Sequence, residues 1–229
     1  MIASVHLADV GARRALALSR KPPAPASIPG LRSANAGLCA PLSASVLPAP
    51  QFGRMALIAF WEGDDAIDAF LADHPLAATL ATGWHVRLEP LRAYGTWPGL
   101  PTDLATERHV AHEGPVAAVT MGRLIPSQAV RFLRTSAKAS GSALAAPGLL
   151  WGTGIANPPS FFSTVSLWES TKAVSTYAYG NREPAHPDAI ASGEAKPFHH
   201  EQAFIRFRPY AAQGRLDGKN PLAFQTEPA

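Results

Sequence analysis

Val86-Arg87-Leu88-Glu89-Pro90-Leu91-Arg92-Ala93-Tyr94-Gly95 aligns with Ile205-Arg206-Phe207-Arg208-Pro209-Tyr210-Ala211-Ala212-Gln213-Gly214 when Arg87 is set on Arg206, Pro90 on Pro209 and Gly95 on Gly214. Downstream, Gly99 and Gly218 keep the same register. Upstream, Ala56-Leu57-Ile58-Ala59-Phe60-Trp61-Glu62 resembles Ser163-Thr164-Val165-Ser166-Leu167-Trp168-Glu169 at a slightly different offset, and His74-Pro75 falls where His186-Pro187 falls. Ordered matches with small insertions between them identify an internal duplication.

Both halves carry the same alternation of periods. Strands are expected over 3–10 and 116–123, each followed by a helical stretch, 11–20 and 127–140; in the second, Ala129, Val130, Leu133 and Ala137 recur at helical spacing. Pro126 and Ser127 form a plausible start signal for that helix. Strands around 149–155 and 161–168, a helix from near Ser170 and an alternating strand ending at Pro209 complete the half. Strand–helix–strand–strand–helix–strand is the ferredoxin-like order. The expected fold is therefore α+β: two tandem ferredoxin-like repeats, 1–105 and 106–229, packed as a pseudo-dimeric α+β barrel. Residues 97–114 read as the linker. The stretch 21–53, with seven prolines, reads as an extended irregular excursion, and the tail after Leu222 as loose.

Composition bounds the function. The 229 residues are 47% hydrophobic with a mean hydropathy of +0.01, which excludes general disorder. Only 16% are charged, so apolar surface must be covered by a second copy, a cofactor or an apolar ligand. A net charge of +3, scattered along the chain, excludes a nucleic-acid footprint. The single cysteine, Cys39, excludes an internal disulfide and a zinc-thiolate site and points to a reducing compartment. The first residues show no export signal, and the charge-free run 139–168 is broken by Pro147, Gly148, Gly152, Gly154 and Asn157-Pro158-Pro159, so it reads as buried strands joined by a turn and not as a membrane span. The expected location is the cytoplasm.

No phosphate loop, zinc-protease helix, nucleophile elbow or dinucleotide fingerprint occurs. Gly152-Thr153-Gly154 reads as strand-end or bulge glycines, and Cys39 as a structural residue. Among the eight histidines, His109 and His112 read as a solvated pair in the linker. His199 and His200 are adjacent and face opposite ways in an extended segment. His186 stands apart, after the aromatic-rich stretch Ala173–Gly180 and before a Pro-started helix over 187–195. On its own it reads as a helix-cap histidine or as a ligand.

Trp168-Glu169-Ser170, Ala178-Tyr179, His186-Pro187, Ala203-Phe204-Ile205-Arg206-Phe207-Arg208-Pro209, Gly214 and Asp217-Gly218-Lys219-Asn220-Pro221-Leu222 resemble the second half of the spheroidene monooxygenase family. Trp84-His85-Val86-Arg87-Leu88-Glu89-Pro90-Leu91-Arg92 and Gly95-Thr96-Trp97-Pro98-Gly99 resemble its first half, and the likeness runs from about Met55 onward. The resemblance implies a heme-dependent monooxygenase that places keto groups on acyclic carotenoids, with heme b (iron) as cofactor, an apolar substrate and a ferredoxin as electron donor. A wider similarity to heme-degrading monooxygenases of the barrel superfamily implies His186 as the axial iron ligand. Trp151, Phe161, Phe162, Trp168, Tyr177 and Tyr179 would then line the porphyrin slot. Arg206 and Arg208, on one face of the last strand, would meet the propionates; a solvated sheet face is the alternative. His74, without aromatic neighbours in sequence, reads as a structural relic.

The chain departs from the family pattern at Gly154-Ile155-Ala156-Asn157, at Phe198 where a tryptophan is expected, and at Ala36-Gly37-Leu38-Cys39. These changes leave the fold reading intact and the substrate open. Two other functions therefore stand beside the monooxygenase: a heme enzyme of dehydratase or nitrogen-oxide chemistry, and a non-catalytic barrel carrying heme or an apolar ligand. Self-association is left open as well.

Overall fold

A computed structural model describes residues 1–107, 110–159, 161–180 and 196–222. The first half runs β1 (Ile2–Asp9), α1 (Ala12–Arg20), β2 (Leu31–Pro41), β3 (Gln51–Trp61), α2 (Asp64–Asp73), α3 (Pro75–Leu80) and β4 (Trp84–Gly95). The second runs β5 (Val116–Leu124), α4 (Ala129–Ala145), β6 (Leu149–Asn157), β7 (Phe161–Trp168), α5 (Thr171–Tyr179) and β8 (His199–Gly214). The strands close into one antiparallel barrel of order β1-β3-β2-β6-β7-β5-β8-β4. Each half contributes the order 4-1-3-2, and the halves meet at two seams, β4 with β8 and β2 with β6.

The glycines that mark the repeat have a shared physical reason. Gly95 and Gly214 end β4 and β8 with φ of +87° and +82°, and Gly99 and Gly218 adopt +85° and +76°. That left-handed region excludes most side chains. A Cβ on Gly95 would also stand 2.2 Å from the Gln202 carbonyl oxygen, inside the seam.

Alternation along the strands builds two layers. Inward residues Val5, Leu7, Ile58, Phe60, Val86, Leu88, Val119, Met121, Val165, Leu167, Ile205 and Phe207 fill the barrel. Outward residues of the first half, among them Met55, Leu57 and Trp61, pack with Ile67, Phe70, Ala77 and Leu80 of α2 and α3. Among the described residues, no helix is long and apolar enough to cross a membrane.

The structure corrects several expectations. The proline-rich stretch 21–53 is not an excursion, because it contains β2, which pairs with β3 and β6 and so forms one of the two seams. Its prolines flank the strand, and within the strand the small residues Ala34, Ala36 and Gly37 let neighbouring backbone approach; a Cβ on Gly37 would lie 2.7 Å from the Ala156 carbonyl oxygen. The expected linker is not a free connection either, since Trp97 and Leu100 are buried in the barrel core and Leu104 packs against it. Ser127 does not cap α4; it lies in a 3-10 turn, Pro126–Gln128, that leads into the helix. Residues 139–145 belong to α4, so only the later part of the charge-free run forms strands. His74 caps α3, its Nδ1 accepting from the Leu76 amide at 3.1 Å.

Two polar features tie the first half down. Arg54, nearly buried, donates to Asp9 (3.0 and 2.7 Å) and Asp217 (2.9 and 2.6 Å), which clamps the segment after β8 against β1 and β3. His6, fully buried under α2, bonds the Ser4 hydroxyl at 3.0 Å and stacks on His85 at 5.1 Å. Burial, reinforced by the charges of His85 and Arg87, lowers the His6 pKa to about 3.

His6 is therefore neutral when folded, and only the unfolded chain takes up its proton as the pH falls from 6.5 towards 3. Stability present above pH 6.5 is lost in that window, at up to about 1.4 kcal/mol per pH unit. His6→Gln should be less stable than the parent at pH 7 by roughly 1–2 kcal/mol through the changed packing and hydrogen bond. The gap should close on acidification to pH 5, measured by urea unfolding at both values.

Candidate functional site

Barrel register makes the two repeats directly comparable. Trp61 pairs with Ile2 and Trp168 with Val116, so β3 and β7 superpose at an offset of 107 residues, and the neighbouring strands follow. On the helix-covered face, Leu57 of the first half corresponds to Thr164, His6 to Thr120, Ala8 to Gly122, Ala34 to Gly152, Ala36 to Gly154 and Leu38 to Ala156. Every one of these changes makes the second face smaller or more polar. Phe162, standing for Met55, is the bulkier exception. Thr164, Gly154 and Thr120 are only half-buried, whereas Leu57, Ala36 and His6 are buried.

The covering helices differ in the same sense. α1 lies directly on β2 and β3, whereas α4, its counterpart, does not come comparably close to β6 and β7. Phe132 and Leu133 of α4 stay half-buried, with Phe132 edge-on to Phe162 at 5.4 Å. The sheet beneath α4 thus presents a hollow of glycine and threonine beside Phe132 and Phe162, into which Leu42 projects: a Cβ on Gly152 would stand 2.7 Å from its Cδ1. α5 is anchored beside it. Ser170 caps the helix by accepting from the Ala173 amide at 3.1 Å, the Tyr177 ring stacks on Trp168 at 4.9 Å, and the Tyr177 hydroxyl donates to the Ala139 carbonyl of α4 at 2.9 Å. On the far side of α5 is a cleft of about 490 Å³ lined by Val110, Thr171, Lys172, Ser175, Tyr179 and Gly180.

The expected site residues divide among four places. Phe162 faces the hollow. Trp168 and Tyr177 form the packed stack beneath α5, and burial raises the Tyr177 pKa. Tyr179 and Arg206 meet at the cleft, where the Arg206 guanidinium lies 5.8 Å from the Tyr179 ring and donates to the Ser175 hydroxyl at 2.8 Å. Trp151 and Phe161 belong to the opposite surface of the sheet. Trp151 contacts Trp84 at 5.9 Å and Phe161 contacts Trp97 at 5.8 Å, both with the barrel interior, so neither lines a slot under the helices. For Trp151 the cause is plain alternation with Thr153 and Ile155, opposite the core residue Leu167; the register shift before it carries only Leu149 to the outer face. Arg208 is on the outer face but exposed, and it forms an ion pair with Glu89 across the β4–β8 seam, so it does not reach the cleft. His186 and the expected helix 187–195 lie outside the described residues. The chain leaves α5 at Gly180, on the cleft, and is described again from Lys196, whose carbonyl accepts from Arg131 of α4.

His199 is the residue that sequence reasoning passed over. Its ring lies against Gly122, where an added Cβ would stand 2.4 Å from Cδ2 and 2.6 Å from Nε2. Phe132 and Phe198 pack edge-on to it at 5.0 and 6.2 Å. Its Nδ1 sits 3.2 Å from the Gln202 side-chain oxygen, and that pairing places a proton on Nδ1 and the lone pair on Nε2. Burial holds its pKa below the usual histidine value, against the opposing effect of Gln202. A neutral imidazole with an oriented lone pair can accept or return a proton at the edge of the hollow. The spacing of Gly122 to His199 carries no sequence signal; only the β5–β8 pairing joins them. His200 is exposed, as alternation requires. Cys39 is buried, its thiol pushed up to about 12 chiefly by burial, which makes it an inert packing residue.

No protein-family profile matches the chain. It is 31% identical over 175 residues to the spheroidene monooxygenase of Rubrivivax gelatinosus, an alignment covering 74% of this chain and 66% of that protein. It is 22% identical over 180 residues to the spheroidene monooxygenase of Cereibacter sphaeroides, covering 76% and 55%. The chain therefore spans somewhat less than two thirds of the first relative and about half of the second. Among solved structures, an aldoxime dehydratase in complex with butyraldoxime superposes with a TM-score of 0.52 over 91% of this chain and 79% of that one, at 10% identity, a likeness of fold.

Gly122→Ala should displace His199 from the strand and expose it to water. The titration of its imidazole, followed by NMR, should then move up towards 6.5, because desolvation is the main cause of its depression. An unchanged titration would mean that Gly122 does not set the position of the ring.

Proposed function

The chain belongs to the spheroidene monooxygenase family, and on that premise we propose that it is a heme-dependent monooxygenase. Its substrate is a long apolar molecule, oxidised in the manner of a carotenoid ketolase. The observation that carries this reading is the hollowed helix-side face of the second repeat, where Thr164, Gly154 and Thr120 replace Leu57, Ala36 and His6.

The described residues fit heme b in kind. A flat macrocycle needs a surface free of branched apolar side chains, aromatic walls and a cation for its carboxylates. Thr120, Gly154 and Thr164 supply the first, and Phe132 and Phe162 the second; the buried cation Arg206 lies beyond α5, bonded to Ser175. His186, in the repeat bounded at 106–229, would hold the iron of that heme. Bound there, the iron would supply oxygen activation, with electrons from a ferredoxin of the cytoplasm. The protein's own part is to orient and to move protons. His199, held by Gln202, keeps Nε2 free of its proton at neutral pH and so can take one from, or return one to, a group at the edge of the hollow. Phe132 and Phe198 shield that imidazole from water. Tyr177, bonded to Ala139, keeps α5 and α4 in fixed relation.

Reconstitution with hemin should give a Soret band that His186→Ala abolishes or shifts. Thr164→Leu, which restores the first repeat's side chain, should lower heme affinity at least about tenfold while leaving the circular dichroism unchanged. With ferredoxin, its reductase and oxygen, the loaded protein should form ketones from an acyclic carotenoid. Wild-type protein without a Soret band after reconstitution overturns the heme assignment.

A further inference from the structure

The net charge of the chain is small, but its carboxylates are not spread evenly. Residues 10–61 and 114–168 contain no Asp or Glu, yet they hold half of the 20 Lys and Arg residues. The first segment forms α1, β2 and β3, and the second β5, α4, β6 and β7. In the barrel their strands are contiguous, in the order β3-β2-β6-β7-β5, with the β2–β6 seam joining the two repeats. Folding therefore gathers charge that looks scattered in sequence onto one arc of the barrel. The connection 42–50 between β2 and β3 bridges the helices on that arc. Ala44 lies against α4, where a Cβ on Gly141 would stand 3.1 Å away, and past the connection the Gly53 carbonyl accepts from the Val10 amide, at the start of α1, at 2.9 Å.

The same arc carries exposed apolar side chains. Among the described residues, Leu16, Val46, Leu47, Phe52, Val130 and Leu144 are exposed and all belong to the acid-free segments; elsewhere the large exposed apolar residues are three tyrosines and Phe204. Leu47, on the connection, is 75% exposed, and Phe52, just after it, 63%. Leu144 lies one turn from Gly141. Cations are interleaved with them: Arg13, Leu16 and Arg20 share a face of α1 at i, i+3 and i+7, and Val130, Arg134 and Lys138 share a face of α4 at i, i+4 and i+8. Among the described residues, none of these four cations forms an ion pair, whereas Asp9, just before α1, and Asp217 are both held by Arg54.

We propose that this face, with the connection 42–50 between its two helices, docks on a lipid bilayer bearing anionic headgroups. Val46, Leu47 and Phe52 enter the boundary between headgroups and acyl chains, and the cations of α1 and α4 meet the lipid phosphates. Protruding aliphatic side chains do not suit a nucleic acid, which takes cations with stacking aromatics. A second copy in a twofold contact would set the same unpaired cations against one another. Docking itself is independent of heme. Its consequence rests on the function proposed above: Leu42, at the root of the connection, projects into the hollow, so docking brings one end of that hollow to the bilayer in which a long apolar substrate dissolves.

The full chain, with and without hemin, is sedimented with vesicles of phosphatidylcholine alone or with about 30% phosphatidylglycerol, in low salt and in about 0.5 M NaCl. Affinity for the anionic vesicles should be at least about tenfold higher, and salt should remove most of that difference. Leu47→Asp should weaken binding at least about fivefold, and Arg134→Glu combined with Lys138→Glu about tenfold, whereas Tyr94→Ser, at an exposed ring outside the acid-free segments, should change nothing. These side chains are exposed, so circular dichroism should match the parent's. Because Cys39 is buried, a Leu47→Cys chain takes an environment-sensitive dye at position 47 alone, and its emission should shift to the blue on anionic vesicles. Equal affinity for both vesicles, affinity indifferent to the variants, or a dye that does not shift overturns the docking surface. Duplex DNA bound in place of vesicles, or a dimer that Leu47→Asp dissolves, overturns it in favour of those partners. A missing Soret band counts against the heme reading alone, since vesicle binding is read without hemin as well.

Discussion

Each four-stranded unit ends in two edge strands, and an open edge presents a row of unpaired amides and carbonyls. Here the edges of one unit are the partners of the other: β4 pairs with β8 over eleven register pairs, from Trp84–Gly214 to Gly95–Ala203, and β2 meets β6 from Leu38–Ala156 to Pro41–Thr153. Closure puts the inward side chains of both units into one core and leaves the helices on the outside. It also explains the small residues along the seams, because Gly37 and Gly95 stand where a Cβ would strike the opposite backbone. The segments after β4 and β8 then close the interior with Trp97, Leu100, Leu216 and Leu222.

With the barrel closed from both sides, the two helix-covered faces are free to diverge. The first is packed as a second core, and its polar groups are internally paired: Arg87 with Asp64 and Asp68, His6 with Ser4. The second keeps the Trp168–Tyr177 stack, the counterpart of Trp61–Phe70, and relinquishes much of the rest. Losing a Leu57-sized side chain and its neighbours forgoes burial worth a few kcal/mol. On one strand framework, the helix-side face of the first repeat is filled and that of the second is depleted.

Much of the architecture was legible in the sequence because the duplicated pattern carries its own register. Arg87 on Arg206 and Gly95 on Gly214 match in the barrel as in the alignment, and the glycines recur because the same left-handed turn recurs. β2 was not legible. Its composition is that of a loop, and only the strands on either side hold it extended. The candidate site was legible in part. Tyr179 and Arg206 do meet, whereas Trp151 and Phe161 turn inward and Arg208 is taken by Glu89. His199 was dismissed with His200 as an adjacent pair, and their alternation is real, but alternation does not say which of the two has an aromatic pocket waiting for it.

By itself, the sequence determined that the chain is built twice, that each half is a ferredoxin-like unit, and which residues repeat, since periodicity and turn glycines are local properties of the backbone. The tertiary structure alone decided which face of the second sheet is hollow, because that depends on how far α4 stands from strands it does not adjoin in sequence. It alone brought Arg92 to Arg206: one bulge at Leu91 reverses the side on which every later β4 side chain emerges, and a seam between residues more than a hundred apart sets the guanidinium groups side by side.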